Sequence, residues 1–170
     1  MIPPKLRVPL AVSAFIAGTY VLIAGSALGL ALLFVSALLA YGHFKYGTVW
    51  LAFREVARGR MDTAAQLLAQ VKDPERLTLR DRAYFELAWG LLCASRAEND
   101  RAVQHLRSSL DHALPTENDC ALAEAVLSQL LIARGALDEA RTLIARAATR
   151  QCRPAIAERI KAIQAELSQR

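Results

Sequence analysis

The three cysteines are the most reactive side chains in this chain, because a thiolate can act as a nucleophile or bind a metal. Cys93, Cys120 and Cys152 are odd in number and far apart, with no Cys-x-x-Cys or paired Cys/His spacing. We interpret Cys93 as a small thiol packed in a core. Cys120 and Cys152 are expected at helix starts, where the dipole could lower a thiol pKa, but no second catalytic group accompanies them.

The three histidines also do not define a site. His105 and His112 lie seven residues apart on one helical face, too far apart to share a metal without a carboxylate between them. His43 ends an apolar segment, where a polar residue is ordinary. The sequence lacks a glycine-rich phosphate loop and a Ser/His/Asp arrangement. We therefore predict no catalytic residue, no metal site, no cofactor and no enzymatic activity.

An internal repeat organises the elements between residues 45 and 152. Several residue types recur at one constant interval, in three copies. A fixed period of a few tens of residues is typical of stacked helical repeats, in which each unit packs on its neighbours. The recurring sets are the large–small pairs Leu51-Ala52, Trp89-Gly90 and Leu127-Ser128, the basic residues Arg58, Arg96 and Arg134, the acidic residues Asp62, Asp100 and Asp138, and the alanines Ala64, Ala102 and Ala140.

Each copy has the pattern of two antiparallel helices. In the third copy, Leu127 and Leu131 share one helical stripe. Gly135 ends the first helix, since glycine adopts the left-handed C-cap conformation at little cost, and Asp138 suits the positive end of the second helix. Small residues are required where the two helices cross. The predicted packing residues are Ala52, Ala64, Gly90, Ala102, Ser128 and Ala140.

This pattern resembles the tetratricopeptide repeat family over roughly residues 45–150. The resemblance rests on the large–small pairs, the turn glycines Gly59 and Gly135, and the recurring alanines. It implies an all-α solenoid of three helical hairpins that binds another protein. The family period is about 34 residues. The interval is longer here, which implies longer loops between units, and Ala97 replaces the turn glycine in the second copy. Residues 153–170 are expected to form a polar-backed capping helix.

The start of the chain is strongly apolar. Residues 8–41 contain no Asp, Glu, Lys, Arg or His. One helix of this length would measure about 51 Å, whereas the hydrocarbon core of a bilayer is about 30 Å thick. We therefore predict a transmembrane helical hairpin at 8–44, turning at Gly25-Ser26, after a cytoplasmic tail at 1–7. Gly18 and Gly29 would let the two helices approach closely.

Basic residues flank both ends of this apolar segment, with Lys5 and Arg7 before it and Lys45 after it. Because basic flanks stay in the cytoplasm, we predict an integral protein of the bacterial inner (cytoplasmic) membrane with its repeat domain in the cytoplasm. One strongly tilted span is the alternative to two spans. A cleavable signal peptide is a further alternative, although cleavage would leave a second apolar stretch that still needs a membrane.

The family resemblance implies a partner-binding groove formed by the first helices of the three repeats. The family's best-known groove uses Lys, Arg and Asn to hold the terminal carboxylate of a peptide, but these positions are mostly apolar here, so that clamp is not expected. The same side chains could instead be packed against a neighbouring helix or the membrane, and both interpretations stay open. The groove positions are Tyr46, Val49, Phe53, Val56, Tyr84, Leu87, Leu91, Leu122 and Gln129.

Charge does not favour nucleic acid as a partner. The formal net charge is +5, but residues 46–170 contribute 18 bases and 16 acids that are interspersed along helix faces. No small-molecule substrate is expected. Two functions remain. The chain is a membrane-anchored protein-interaction adaptor or scaffold that binds a partner protein, such as a membrane protein or membrane complex, through the solenoid, or it is a structural or assembly subunit of a larger membrane complex.

Overall fold

The computed structural model describes the backbone of residues 4–23 and 28–169, and the side chains of residues 12–23, 28–37 and 48–169. Within these ranges the chain is helical and has no strand, which confirms the predicted all-α class. Two compact units, Met1–Thr48 and Val49–Arg170, divide the chain. The helices are α1 Pro4–Ile23, α2 Leu28–Ala57, α3 Met61–Ala69, a 3-10 turn Pro74–Arg76, α4 Leu79–Ser95, α5 Asn99–Asp111, α6 Glu117–Ala133, α7 Leu137–Ala148 and α8 Pro154–Gln169.

In the first unit, α1 and α2 approach each other through two glycines. A Cβ atom added at Gly18 would lie 3.1 Å from the Cβ of Leu32, and one added at Gly29 would lie 2.6 Å from the backbone nitrogen of Leu22. The second distance is too short for any side chain, because backbone atoms cannot move aside cheaply. Close packing of these two helices therefore requires glycine at position 29.

The predicted membrane localisation is contradicted. In the part of the chain that the structure describes, neither helix of this unit offers an apolar length that matches a bilayer. The interpretation as an integral protein of the bacterial inner membrane is therefore wrong on this finding, and the transmembrane hairpin at 8–44 is not confirmed. The predicted turn at Gly25-Ser26 lies outside the described residues.

Helix bounds in the second unit repeat at the interval that the sequence shows. Helices α4 and α6 are equal in length and begin at Leu79 and Glu117, which are separated by the same interval as Asp62 and Asp100. The second helices α3, α5 and α7 also begin at this interval. Helix α4 packs against α5, and α6 packs against α7, while α5 also contacts α6. The short loops within each pair make the paired helices antiparallel, and successive pairs stack on one another along the chain.

The first helix of each pair ends with the same backbone motif. Gly59, Ala97 and Gly135 all have positive φ, at 77°, 59° and 79°. The next residue's N–H donates to the carbonyl five residues back, as Glu98 does to Cys93 over 2.9 Å. This is the Schellman arrangement, which satisfies carbonyls that the helix end leaves free. Ala97 therefore adopts a conformation that favours glycine.

Small residues lie at the crossings within the pairs. A Cβ atom at Gly90 would be 2.7 Å from Cγ of the fully buried Leu106, so α4 and α5 are in direct backbone-to-side-chain contact. In the next pair, Ser128 Oγ donates to the carbonyl of Ala140 over 3.3 Å. All six predicted packing residues are buried. They are Ala52, Ala64, Gly90, Ala102, Ser128 and Ala140.

Helix α8 follows α7 and packs against both α6 and α7. It begins at Pro154, whose fixed φ suits the first turn of a helix. Its buried stripe consists of Ile160, Ile163 and Leu167, while Ile156 is half-buried. The spacing of these residues by three and four places buries one face of the helix and leaves its charged residues on the other.

Candidate functional site

An open groove with a volume of about 1440 Å³ lies within the second unit. The end of α2 together with α4 and α6 provides one side, and α8 with the loop before it provides the other. Its volume exceeds the about 300–1,000 Å³ that is usual for small-molecule pockets. The groove is therefore large enough for a segment of polypeptide. Its apolar floor includes Phe53, Val56, Leu91, Leu122, Val126 and Ile160.

Five of the predicted groove residues line this groove, and they are Phe53, Val56, Tyr84, Leu91 and Leu122. Two others do not, because Val49 is 1% exposed and Leu87 is fully buried in the core. These two side chains point towards the packed interior of the unit, so assigning them to the groove was wrong. The side chain of Tyr46 lies outside the described residues.

Aromatic side chains form a cluster at the α2–α4 side of the groove. The ring of Trp50 contacts the ring of Tyr84 edge-on, with centroids 5.3 Å apart, and the ring of Phe53 lies 5.2 Å from that of Tyr84. Such pairs contribute about 0.5–1.5 kcal/mol beyond the burial of their area. Trp50 remains 44% exposed in this cluster. Sequence reasoning missed Trp50, although it lies next to the predicted Val49 and faces the adjacent stripe of the helix.

A hydrogen-bonded network joins the floor of the groove across α4 and α6. The hydroxyl of Tyr84 donates to Asp119 Oδ2 over 2.7 Å, and the hydroxyl of Thr116 donates to the same atom over 2.7 Å. Thr116 also caps α6 by accepting the N–H of Asp119. Burial, followed by the hydrogen bond and the charge of Asp119, raises the pKa of Tyr84. The network keeps a buried carboxylate satisfied and fixes the tyrosine ring.

The α8 side of the groove carries Arg159, whose Nε donates to Gln129 Oε1 over 3.1 Å. Gln129, which was predicted to line the groove, is half-buried, hydrogen-bonded to this arginine, and is not among the residues that line the groove. Partial burial of the guanidinium lowers the pKa of Arg159. Residues 153–170 were expected only to cap the array, and Arg159 was not predicted to line the groove, because no local pattern shows which neighbour such a helix packs against.

A buried ion-pair network holds the loop that precedes α8. Glu124 on α6 is fully buried and binds Arg150 Nε at 2.8 Å and Arg146 at 2.9 Å. Arg150 also contacts Glu117 at 2.9 Å. The hydrogen bond that Arg150 donates to Glu124 is the largest cause of its raised pKa. One carboxylate thus ties the end of α7 to α6 and positions this side of the groove.

Packing or hydrogen bonding accounts for the described positions of Cys93, Cys120 and His105. Burial raises the pKa of the Cys93 and Cys120 thiols, which at Cys120 is opposite to the lowering that a helix start could produce. Cys152 lies before α8 and is half-buried. His105 Nδ1 lies 2.7 Å from Glu86 Oε2. Among the residues whose positions are described, no group of three or more His, Cys, Asp or Glu side chains is placed to hold a metal ion.

Comparisons with protein-family models, with curated proteins and with solved structures found no match to this chain.

Proposed function

We propose that this chain is a non-enzymatic protein-interaction adaptor, with a solenoid of the tetratricopeptide type in which the groove binds a segment of a partner protein. The repeated helical pairs, their Schellman turns at Gly59, Ala97 and Gly135, and the small residues at their crossings support the solenoid. Such arrays characteristically expose an extended surface for binding. The membrane anchor of the sequence-based hypothesis is not part of this proposal.

The observation that carries the proposal is the groove's apolar floor, with a half-exposed tryptophan at its edge. Trp50 is 44% exposed although it contacts Phe53 and Tyr84, and Leu91 and Leu122 are only half-buried. Apolar surface that is open to solvent is unfavourable in water, so this lining supports a role in binding. Tryptophan and tyrosine are also enriched among the residues that dominate binding energy at interfaces.

Site-specific photo-crosslinking in the full-length chain tests this function. A photoreactive residue replaces Leu91 in the groove or, as the matched control, the exposed Gln104 on α5, which does not line the groove. We expect the photoreactive residue at position 91 to form a discrete adduct with a partner protein, and none to form from position 104. Combining Phe53→Ala with the photoreactive residue at position 91 should lower the yield of this adduct. Identical adducts from both positions, or an adduct that Phe53→Ala leaves unchanged, would contradict the proposal.

A different observation favours the second candidate, a structural or assembly subunit of a protein complex. In the first unit several large apolar side chains are more than half exposed, among them Phe15, Ile16 and Phe34. If this surface carries the function, Phe15→Ser with Ile16→Ser should release the chain from its complex, whereas Phe53→Ala with Leu91→Ala should not. The adaptor hypothesis predicts the opposite result from the same two pairs of substitutions.

A further inference from the structure

The charged side chains of the groove are unevenly distributed. Five bases line it, against one acid, Asp119, which is buried and already hydrogen-bonded to Tyr84 and Thr116. The complete 46–170 region carries only two more bases than acids. The groove therefore holds an excess of positive charge that the rest of this region does not share. Its basic residues are Arg80, Arg150, Arg153, Arg159 and Lys161.

Ion pairing sharpens this contrast. Among the described residues, ten arginines lie within ion-pair distance of an acid. Of these ten ion-paired arginines, Arg150 lines the groove and the other nine do not. Lys161 in the groove is also ion-paired, with Glu158 at 3.0 Å. The other three groove bases, Arg80, Arg153 and Arg159, have no acid at that distance in the described part of the chain. Outside the groove the same holds for Arg54 and Arg82. Arg159 in particular has Gln129 as its partner and is partly desolvated. A partly desolvated cation without a counter-charge is stabilised by an incoming carboxylate.

The same groove has an apolar floor, and this combination restricts the occupant. Phe53, Leu91 and Leu122 are partly exposed in the groove and present aliphatic and aromatic surface that suits apolar side chains. Single-stranded nucleic acid is typically bound by aromatic faces on which its bases stack and by a basic groove that follows its backbone. Here Trp50 is the aromatic ring with the greatest exposure in the described groove, and most of the floor is aliphatic. The floor and the charges together favour a protein segment.

We propose, on the basis of the adaptor function above, that the groove binds an acidic protein segment. The large apolar side chains of this segment occupy the floor at Phe53 and Leu91, and its Asp or Glu carboxylates pair with Arg80, Arg153 and Arg159. Charge complementarity supplies the specificity and speeds association, while burial of the apolar side chains supplies most of the affinity.

Selection of random peptides displayed on phage, with the full-length chain as the target, tests this proposal. The selection is run in parallel on the Phe53→Ala/Leu91→Ala variant, and peptides are scored by their enrichment on the parent chain over that variant. We expect enriched peptides to contain more Asp and Glu than the library and to retain large apolar residues. Their dissociation constants should increase with ionic strength, since ion pairs at a groove rim are screened by salt.

Charge reversal provides the second measurement. Arg80→Glu, Arg153→Glu and Arg159→Glu are combined in one variant, and the matched control combines Lys72→Glu, Arg101→Glu and Arg141→Glu, which are exposed residues outside the groove. For a synthetic selected peptide, we expect the first variant to raise Kd by about tenfold or more, which is about 1.4 kcal/mol. The control should change Kd by less than about twofold. Arg159→Gln alone keeps the size of the side chain and should weaken binding in the same direction.

The outcomes separate the two proposals. Failure of any peptide to be enriched over the floor variant would overturn the adaptor function together with this inference. Enriched peptides that are neutral or basic, with a Kd that charge reversal leaves unchanged, would overturn the inference and leave the adaptor function standing. Single-stranded DNA is the competing probe. Binding of DNA that charge reversal abolishes and the floor variant does not affect would assign the basic residues to nucleic acid.

Discussion

Replacing Ala97 by glycine should stabilise this protein, although the same replacement in a helix is normally destabilising. Ala97 lies two residues after the end of α4 and has a φ of 59°, in the position where Gly59 and Gly135 occur in the other two copies. For alanine this left-handed conformation brings Cβ too close to the following carbonyl oxygen. The second copy therefore carries backbone strain that the first and third copies lack.

The magnitude follows from two opposing contributions. Removing the strain of a left-handed alanine gains about 1–2 kcal/mol, while the greater freedom of glycine in the unfolded chain costs about 0.4–1 kcal/mol. We therefore expect Ala97→Gly to raise the free energy of unfolding by about 0.5–1 kcal/mol. For a chain of this size, that corresponds to an increase in Tm of about 1–4 °C.

Thermal unfolding of the full-length chain, followed by circular dichroism, provides the measurement. Gly59→Ala and Gly135→Ala introduce the same strain and should lower Tm. Apart from the adjacent residues, no atom lies within 4 Å of either added Cβ, so the left-handed backbone conformation is the source of the loss. Ala145→Gly is the matched control, since Ala145 is exposed within α7 and has a helical backbone. This control substitution should lower the free energy of unfolding by about 1 kcal/mol.

The sign of the change decides whether the reasoning holds. A decrease in Tm for Ala97→Gly, similar to that for Ala145→Gly, would show that Ala97 does not adopt the left-handed conformation. An unchanged Tm for both Gly59→Ala and Gly135→Ala would show that the turn imposes no requirement for glycine. Either result would refute the assignment of one repeated turn to the three copies.

Three other substitutions test the packing and the charges around the groove. Gly90→Ala should lower the free energy of unfolding by about 1–3 kcal/mol, because its Cβ would lie 2.7 Å from Leu106 Cγ. Leu106→Ala should offset part of this loss in a double-mutant cycle measured by urea unfolding. Glu124→Gln should lower the free energy of unfolding by about 2 kcal/mol in the same assay. This is less than for a fully buried pair, since the side chain of Arg146 is 56% exposed and stays hydrated. An unchanged urea midpoint would contradict this prediction. Because the pKa of Tyr84 is raised above its ordinary value of 10.0, the folded state keeps a proton that the unfolded chain loses above that pH. Stability should therefore fall as pH rises above about 10, and a Tyr84→Phe variant with the same alkaline slope as the parent would refute this assignment.

Local chemistry explains why much of the fold could be predicted. The helix ends follow from residues that act within one turn, such as Gly135 at a C-cap and Thr116 at an N-cap, whose effects need no distant partner. Recurrence of these signals at a constant interval then predicts the paired helices, because identical local signals give identical elements. Ala97 is informative in this respect, since the turn formed there without its preferred residue.

The groove could be predicted only in part, for a reason of geometry. Spacing along one helix identifies a face, so Phe53 and Leu91 were found, but it does not distinguish the side that points into the core, and Val49 and Leu87 were assigned wrongly. The membrane localisation was wrong because the apolar composition of residues 8–44 as a whole does not show that any single helix is long and apolar enough to cross a membrane, and none of the described helices is.

The sequence therefore suffices for the helical class, the repeat interval and the small residues at the helix crossings, because each of these depends on neighbours within one or two turns. It does not suffice for the placement of α8, which brings Arg159 onto Gln129 across 30 residues of chain. It also does not reveal that Glu124 would be buried beneath Arg150, or that three arginines would line one groove without acidic partners. These features arise when separate helices pack, since the contacts join residues far apart in the chain whose local patterns carry no information about each other.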